Sequence, residues 1–449
     1  MAKILPEDFR KYTLGLMGEK LYQQLEQGIT EGEAPTSIRL NPFKCKEGED
    51  VSSPKEPIPW CPSTGRYLST RPNFTFDPWL HAGKYYVQEA SSMFVDLVIR
   101  QLVHEPVMML DLCAAPGGKS TAVRAALPEG SLLFSNEPMR TRSQILAENI
   151  QKFGHPDMIV TNNYPRDYKK SKLQFDVILT DVPCSGEGMF RKDDGAIAEW
   201  SLQNVDNCWH LQREIVSDIW SGLKPGGILI YSTCTFNAHE DEENVDFIVD
   251  TWEMEKLDMR HFIPGETRTE GLFMAALRKP GSGNPVMSAS AGKKKDKKAK
   301  KGKQSKSSAV QGAKTVSSWL TAGENFDVAM LGGRVVGVGK AWRDVFDTSL
   351  DKLRVIHAGV ELGEQKGKDI VPSESLALSL SLAPDAFPVA DVDMDTALSY
   401  LRREPITLSG SMPHGYVLVS YKGLPLGFVK NLGNRTNNLF PQEWRIRNK

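Results

Sequence analysis

Between residues 106 and 280, short apolar runs alternate with longer stretches that are apolar on one side only. Val107–Cys113 (VMMLDLC), Ser131–Glu137 (SLLFSNE), Met158–Thr161 (MIVT), Phe175–Asp181 (FDVILTD) and Gly227–Thr233 (GILIYST) each read as a near-continuous hydrophobic strand. Strands of that kind belong to a parallel sheet covered on both faces, since a sheet with one wet face alternates apolar and polar positions. The segments between them read as helices. Pro138–Phe153 opens on proline, repeats Leu146, Ile150 and Phe153 at helical spacing, and stops at Gly154. Asn207–Gly222 is a second such segment. The alternation predicts a doubly wound α/β domain over residues 106–280, with Gly271–Lys279 (GLFMAALRK) as a late edge strand.

The flanks follow other rules. Residues 1–105 open with a helical pattern, pass through Ser37–Asn41 (SIRLN) and a loop-rich WCPSTGRYL, and read as a separate α+β region. Residues 317–449 carry short glycine-punctuated strands (RVVGVG, GYVLVSYKG, LPLGFVK), the mark of a small β-rich domain. Residues 281–316 lie between. Gly281–Lys314 has no aromatic residue and is rich in Gly, Ser, Ala and Lys, so it reads as a lysine-rich disordered linker. A solvated spacer and a phosphate-attracting tether are both compatible with that composition.

Charge and cysteine usage narrow the class. Residues 293–306 hold nine lysines and one aspartate, so the formal net charge of −1 hides a patch of +8. A uniformly basic nucleic-acid binder is excluded; one with local basic patches is not. Charged residues interrupt every apolar stretch of the N-terminus MAKILPEDFRKYTLGL, and no run approaches the ~18 apolar residues of a membrane span. A soluble, cytoplasmic, monomeric protein without membrane contact is expected. The six cysteines (Cys45, Cys61, Cys113, Cys184, Cys208, Cys234) form no CxxC pair, which argues against a zinc site or a disulfide framework and for free thiols. No metal is expected.

The first chemical feature is Asp111–Thr121 (DLCAAPGGKST), placed where a strand gives way to a helix. Small residues let a ligand approach the backbone, and the helix start offers amide donors. A P-loop would need glycine where Cys113 stands, and no GxGxxG is present, which leaves a methyl-donor loop. Glu137 ends the next strand, where an acidic residue commonly accepts hydrogen bonds from a ribose diol. Asp181 and Cys184 (TDVPCSGEG) follow the fourth strand and Cys234 (YSTCT) the fifth, so adjacent parallel strands bring both thiols to one rim. Thiols suit methylation at C5 of cytosine. Addition of a thiolate to C6 makes C5 nucleophilic, and Asp181 is the carboxyl candidate for the N3 side of the ring. Position alone does not say which thiol attacks.

These segments resemble the Sun-family RNA cytosine-5 methyltransferases, in particular the RsmF-like ribosomal RNA enzymes. The likeness rests on DLCAAPGGKST, NEPMRTRSQILAENIQKFG, TDVPCSGEGMFRKD, LKPGGILIYSTCTFNAHEDEEN, KYYVQEASSM and TEGLFMAALRK, and covers most of residues ~35–280. It implies a class I methyltransferase sheet, S-adenosylmethionine as cofactor, Cys234 as nucleophile and Cys184 as the thiol that assists release. It also implies contacts to donor or target base from Cys113, Ala114, Ala115, Pro116, Gly117, Gly118, Lys119, Glu137 and Asp181, with Lys119 near the attacking thiol. Many relatives carry an aspartate after the third strand, near the adenine. Here Asn162 or Asn163 stands in that stretch, and Asn163 is carried as the candidate. The C-terminal segment looks like the PUA-like extension of the same enzymes. It holds six basic residues and one acid from Lys422 onward, and Trp444 is placed either to stack on a base or to fill a core. The partner implied is RNA, as ribosomal RNA or a ribosomal subunit, with transfer RNA the alternative. A DNA cytosine-5 methyltransferase would use the Pro-Cys thiol alone, and a non-catalytic RNA-binding factor would lack a thiol or the intact loop.

Overall fold

The computed structural model describes residues 3–45, 55–281, 312–367 and 369–447. Most of the expected lysine-rich linker, residues 282–311, therefore lies outside the described residues.

Eight strands form the central sheet. Their order is 255–262, 272–278, 223–233, 175–181, 108–111, 132–136, 158–161 and 355–358. The five strands from Met108–Asp111 to Leu223–Thr233 are parallel and include all five apolar runs read from the sequence. Burial explains their composition: every residue of Met108–Asp111, Leu132–Asn136 and Met158–Thr161 is buried. Helices Phe94–Leu102, Gly118–Ala126 and Arg140–Phe153 pack on one face around Val98, Val123, Leu146 and Ile150. Helices Leu202–Ile219 and Glu242–Trp252 cover the other around Val216, Val245 and Ile248. Each such fully buried aliphatic side chain contributes roughly 1.5–3 kcal/mol.

Leu272–Arg278 corrects the sequence reading. It is an interior strand, antiparallel to Leu223–Thr233 on one side and to Glu255–Phe262 on the other. Its apolar composition reflects two covered faces, whereas the edge is taken by the charged, mostly exposed EKLDMRHF. The opposite edge is closed by Val355–Ala358, which comes from beyond the linker and pairs antiparallel with Met158–Thr161.

The N-terminal region consists of helix Glu7–Thr30, kinked at Gly18 and packed on Phe190, Trp200 and Phe236, and a four-stranded antiparallel sheet. Arg39 ties this sheet to the α/β domain. Its fully buried guanidinium donates to Gln88 Oε1 (2.8 Å), to Thr121 Oγ1 (2.5 Å), and to the carbonyls of Thr121 and Gly118. Two further four-stranded sheets follow the linker, residues 326–372 and 389–438. Trp444 is half-buried, edge-on to Phe440, with Lys152 Nζ 5.2 Å from its ring, so it is packed against helix Arg140–Phe153 of the α/β domain. Among the described residues no helix is long and apolar enough to cross a membrane.

Candidate active site

The carboxyl ends of the parallel strands open into a cavity of about 560 Å³, within the range of small-molecule sites. Cys113 and Ala115 line it from the glycine loop, Glu137 from the end of the second strand, and Asp181, Cys184 and Cys234 from the last two parallel strands. The register places Asp181 opposite Ser232. From there each chain turns into a loop bearing its thiol, so neighbouring strands bring together cysteines 50 residues apart.

The two cysteines are in direct contact. The backbone N–H of Cys234 points at Cys184 Sγ, 3.3 Å away. The hydrogen bond between the two side chains holds the Cys184 thiol well above its usual range, burial and the charge of Cys234 add to that, and the Cys234 N–H works in the opposite direction. Opposite them, Lys119 Nζ lies 2.8 Å from Asp181 Oδ2, while Ser232 Oγ donates to Asp181 Oδ1 at 2.8 Å. Burial pulls the Lys119 ammonium down. The charge of Asp181 and its hydrogen bond, helped by Cys234 and Asp111, outweigh that and hold it above its ordinary value.

The loop is held from outside by side-chain amides and a guanidinium. Asn149 donates to the Pro116 carbonyl (2.8 Å), Arg142 to that of Ala115 (3.0 Å), and Asn136 to that of Leu112 (3.0 Å). Gly117 turns the chain into the helix at φ 116°, where a side chain would be strained and would crowd Leu146 and Asn149. Glu137 is buried, accepts the Met139 N–H at 2.9 Å and faces the cavity.

Comparison with known proteins agrees with this geometry. The profile described as 16S rRNA methyltransferase RsmB/F matches residues 101–278. The N-terminal domain of 16S rRNA methyltransferase RsmF matches residues 5–90, and the methyltransferase RsmF PUA domain matches residues 387–446. The chain belongs to the RsmB/F family of methyltransferases. It is 28% identical to ribosomal RNA small subunit methyltransferase F of Shewanella piezotolerans, over 91% of this chain and 90% of the relative. The protein of the same description from Pectobacterium atrosepticum is 32% identical over 64% of this chain and 66% of its own length. In fold, the chain is similar to NSun6 from Pyrococcus horikoshii solved with SFG (TM-score 0.53, 19% identity, 62% of this chain, 98% of that one). It is likewise similar to a methyltransferase homologue from the same organism (TM-score 0.53, 23% identity, 61% and 95%).

As an RsmB/F-family enzyme it depends on S-adenosylmethionine, and the cavity suits that ligand. Glu137 offers a carboxylate to a ribose diol, and the apolar wall of Pro138, Met139 and Pro165 suits a purine. Ala114, Pro116, Gly117 and Gly118 shape the loop from behind, and of the loop only Cys113 and Ala115 reach the wall. Asn163, the candidate read from the sequence, does not line the cavity. Its side-chain oxygen accepts the Arg354 N–H at 3.0 Å, so the strand added from the C-terminal region occupies it. Asn162 turns away too, donating to the Glu137 and Pro138 carbonyls at 2.8 Å. Tyr164, Pro165 and Arg166 form the wall at that point. Sequence reasoning missed them, although ligands of open α/β sheets sit past the strand ends, where these residues lie. It also missed Leu211, Glu214, Ile215 and Asp218, which line the far side. Their signal, one face of helix Leu202–Ile219 carrying acids among apolar residues, looks like an ordinary surface helix.

Proposed function

We propose that the chain methylates C5 of a cytosine in 16S ribosomal RNA, with Cys234 forming a bond to ring C6. The observation that carries this reading is the thiol pair: the N–H of Cys234 on Cys184 Sγ at 3.3 Å, with the Lys119–Asp181 pair facing them.

S-adenosylmethionine supplies an electrophilic methyl group when bound. The Cys234 thiolate gives its electron pair to C6, and the C5–C6 π electrons move to C5, which takes the methyl group. Loss of the C5 proton restores the double bond, and the C6–S bond breaks with its electrons returning to sulfur. Cys184 stays out of the attack because Cys234 holds it in the protonated form. Once Cys234 is bound to C6, neither its side-chain hydrogen bond nor its charge raises Cys184 any longer. Cys184 then yields its proton to solvent and accepts the one from C5. Lys119 and Ser232 hold Asp181 at the rim, where it meets the N3/N4 edge of the ring.

A cleft in the PUA domain lined by Arg402, Arg403 and Arg445 with Asn437, Asn438 and Gln442 suits the phosphate backbone. We read the enzyme as a cytoplasmic monomer acting on ribosomal RNA. The test uses labelled methyl donor and 16S rRNA. Cys234→Ala should transfer no label, and Cys184→Ala should accumulate a slow-migrating covalent protein–RNA species. Wild-type turnover by Cys234→Ala refutes the assignment. Bisulfite sequencing of the product locates the cytosine.

A further inference from the structure

Two buried carboxylates lie behind the thiols and do not line the cavity. Glu187, three residues after Cys184, is 1% exposed, and Glu240, six residues after Cys234, is 0% exposed. Each reaches across to the other thiol's loop. Glu240 accepts the backbone N–H of Ser185, next to Cys184, at 3.0 Å, and Glu187 accepts that of Phe236, two residues beyond Cys234, at 2.7 Å. Asn237 Nδ2 joins the two carboxylates, at 3.0 Å from Glu187 and 2.8 Å from Glu240. Gln212 adds a second cross-tie, donating to Glu240 at 2.7 Å and to the carbonyl of Pro183 at 2.8 Å.

Among the described residues no cation pairs with either carboxylate; their hydrogen-bond partners are neutral donors. Burial raises both above the usual carboxylate range, Glu187 to about 7. Such an arrangement opposes folding, and packing alone would be served by apolar side chains. Its geometry is what is specific, because each loop is pinned beside its thiol by a group from the other loop.

We infer that Glu187 and Glu240 are positioning residues that set the placement of Cys234 and Cys184 against the target base, with Glu240 controlling the release thiol and Glu187 the attacking thiol. This rests on the roles given to the two thiols above. An amide in place of either carboxylate must turn its NH₂ toward a donor. In Glu240 each oxygen takes an amide N–H (Asn237 on one, Gln212 on the other), and in Glu187 one takes Trp200 and Asn237 and the other Phe236. Glu240→Gln therefore loosens the Cys184 loop and Glu187→Gln the Cys234 loop.

The experiment uses the full chain, in-vitro-transcribed 16S rRNA and labelled S-adenosylmethionine. It reads covalent adduct on denaturing gels and product over a single turnover. Glu240→Gln should accumulate adduct at least about tenfold above wild type, while Glu187→Gln should form adduct about tenfold more slowly without accumulating it, both with donor affinity within about twofold. A merely structural role would lower adduct and product together in both variants, and that outcome overturns the proposal. Cys184→Ala and Cys234→Ala run alongside. If they fail to accumulate and to abolish adduct respectively, the thiol roles themselves are wrong. If they behave and Glu240→Gln does not accumulate adduct, only the positioning role falls. Should Glu240→Gln fail to bind donor, Gln212→Met replaces it, with the same accumulation expected and its absence equally refuting.

Discussion

Substituting Gly188 tests how tightly the two thiol loops are locked. Its N–H donates to the Cys234 carbonyl at 2.7 Å, so the backbone of one loop lies flat on the other. A Cβ built at Gly188 stands 2.9 Å from the Cys234 oxygen, 3.2 Å from the Gly271 oxygen and 3.4 Å from the Cys234 carbonyl carbon. All three atoms are backbone, so no side chain can swing away. Restoring ordinary contact moves the Cys234 main chain by about 0.5 Å, and overpacking of this kind costs about 1–3 kcal/mol. A misplacement of about 1 Å at a reacting group costs on the order of 100-fold, so Gly188→Ala should lower kcat about tenfold. Donor affinity should stay within about twofold, because the donor wall is built by other residues. Methyl transfer to 16S rRNA and calorimetric titration with S-adenosylmethionine measure the two. Gly15→Ala, on a helix where the added Cβ meets nothing within 4 Å, is the control. Turnover by Gly188→Ala within twofold of wild type, with normal donor binding, would show that the loops yield and refute the reasoning.

Three further outcomes are expected. Arg39→Met removes a buried guanidinium that braces the start of the donor-loop helix, and should cost about 2–4 kcal/mol in chemical denaturation and weaken donor binding; unchanged values would show the brace to be dispensable. Burial raises Asp111 from 3.8 to about 7, so its effect on folding is harmless below pH ~4 and becomes destabilising as pH rises towards 7, by on the order of 4 kcal/mol. Asp111→Asn should therefore gain stability over wild type increasingly between about pH 4 and pH 7 in urea unfolding, and a gap that does not change across that window would refute it. Asn163→Ala should leave donor affinity within about twofold while Glu137→Gln weakens it about tenfold or more; the reverse ranking would restore Asn163 to the donor site.

The parallel strands were legible because each is buried on both faces and has no polar alternation to confuse. The two thiols were placed on one rim by the same logic, since strand ends follow from strand order. Their ordering was not legible. It depends on which sulfur is hydrogen-bonded, buried and charged, and spacing carries none of that. Glu187 and Glu240 were invisible for a related reason: an acidic residue in a polar loop reads as a surface group unless the donors facing it are known. The surroundings of Asn163 were not legible: its position after the third strand suits a ligand, while its hydrogen-bond partner, Arg354, comes from 191 residues away. Val355–Ala358 is too short to carry a periodic signal, and only its pairing with an apolar edge makes it a strand.

That added strand changes how the RNA-binding part relates to the chemistry. The Asn162 N–H donates to the Arg354 carbonyl at 2.9 Å, and the Gly359 N–H to the Met158 carbonyl at 3.0 Å. Asn162 meanwhile clamps the Glu137 and Pro138 carbonyls, so the donor wall and the C-terminal region share one hydrogen-bonded segment. A second tie joins the Leu380 N–H to the carbonyl of Gly154, at the end of helix Arg140–Phe153. Lys152 in that helix lies over Trp444. Backbone bonds at a sheet edge do not slide without breaking several at once. On the proposed reading, RNA held in the cleft of Arg402, Arg403 and Arg445 would be placed relative to Cys234 by these backbone ties.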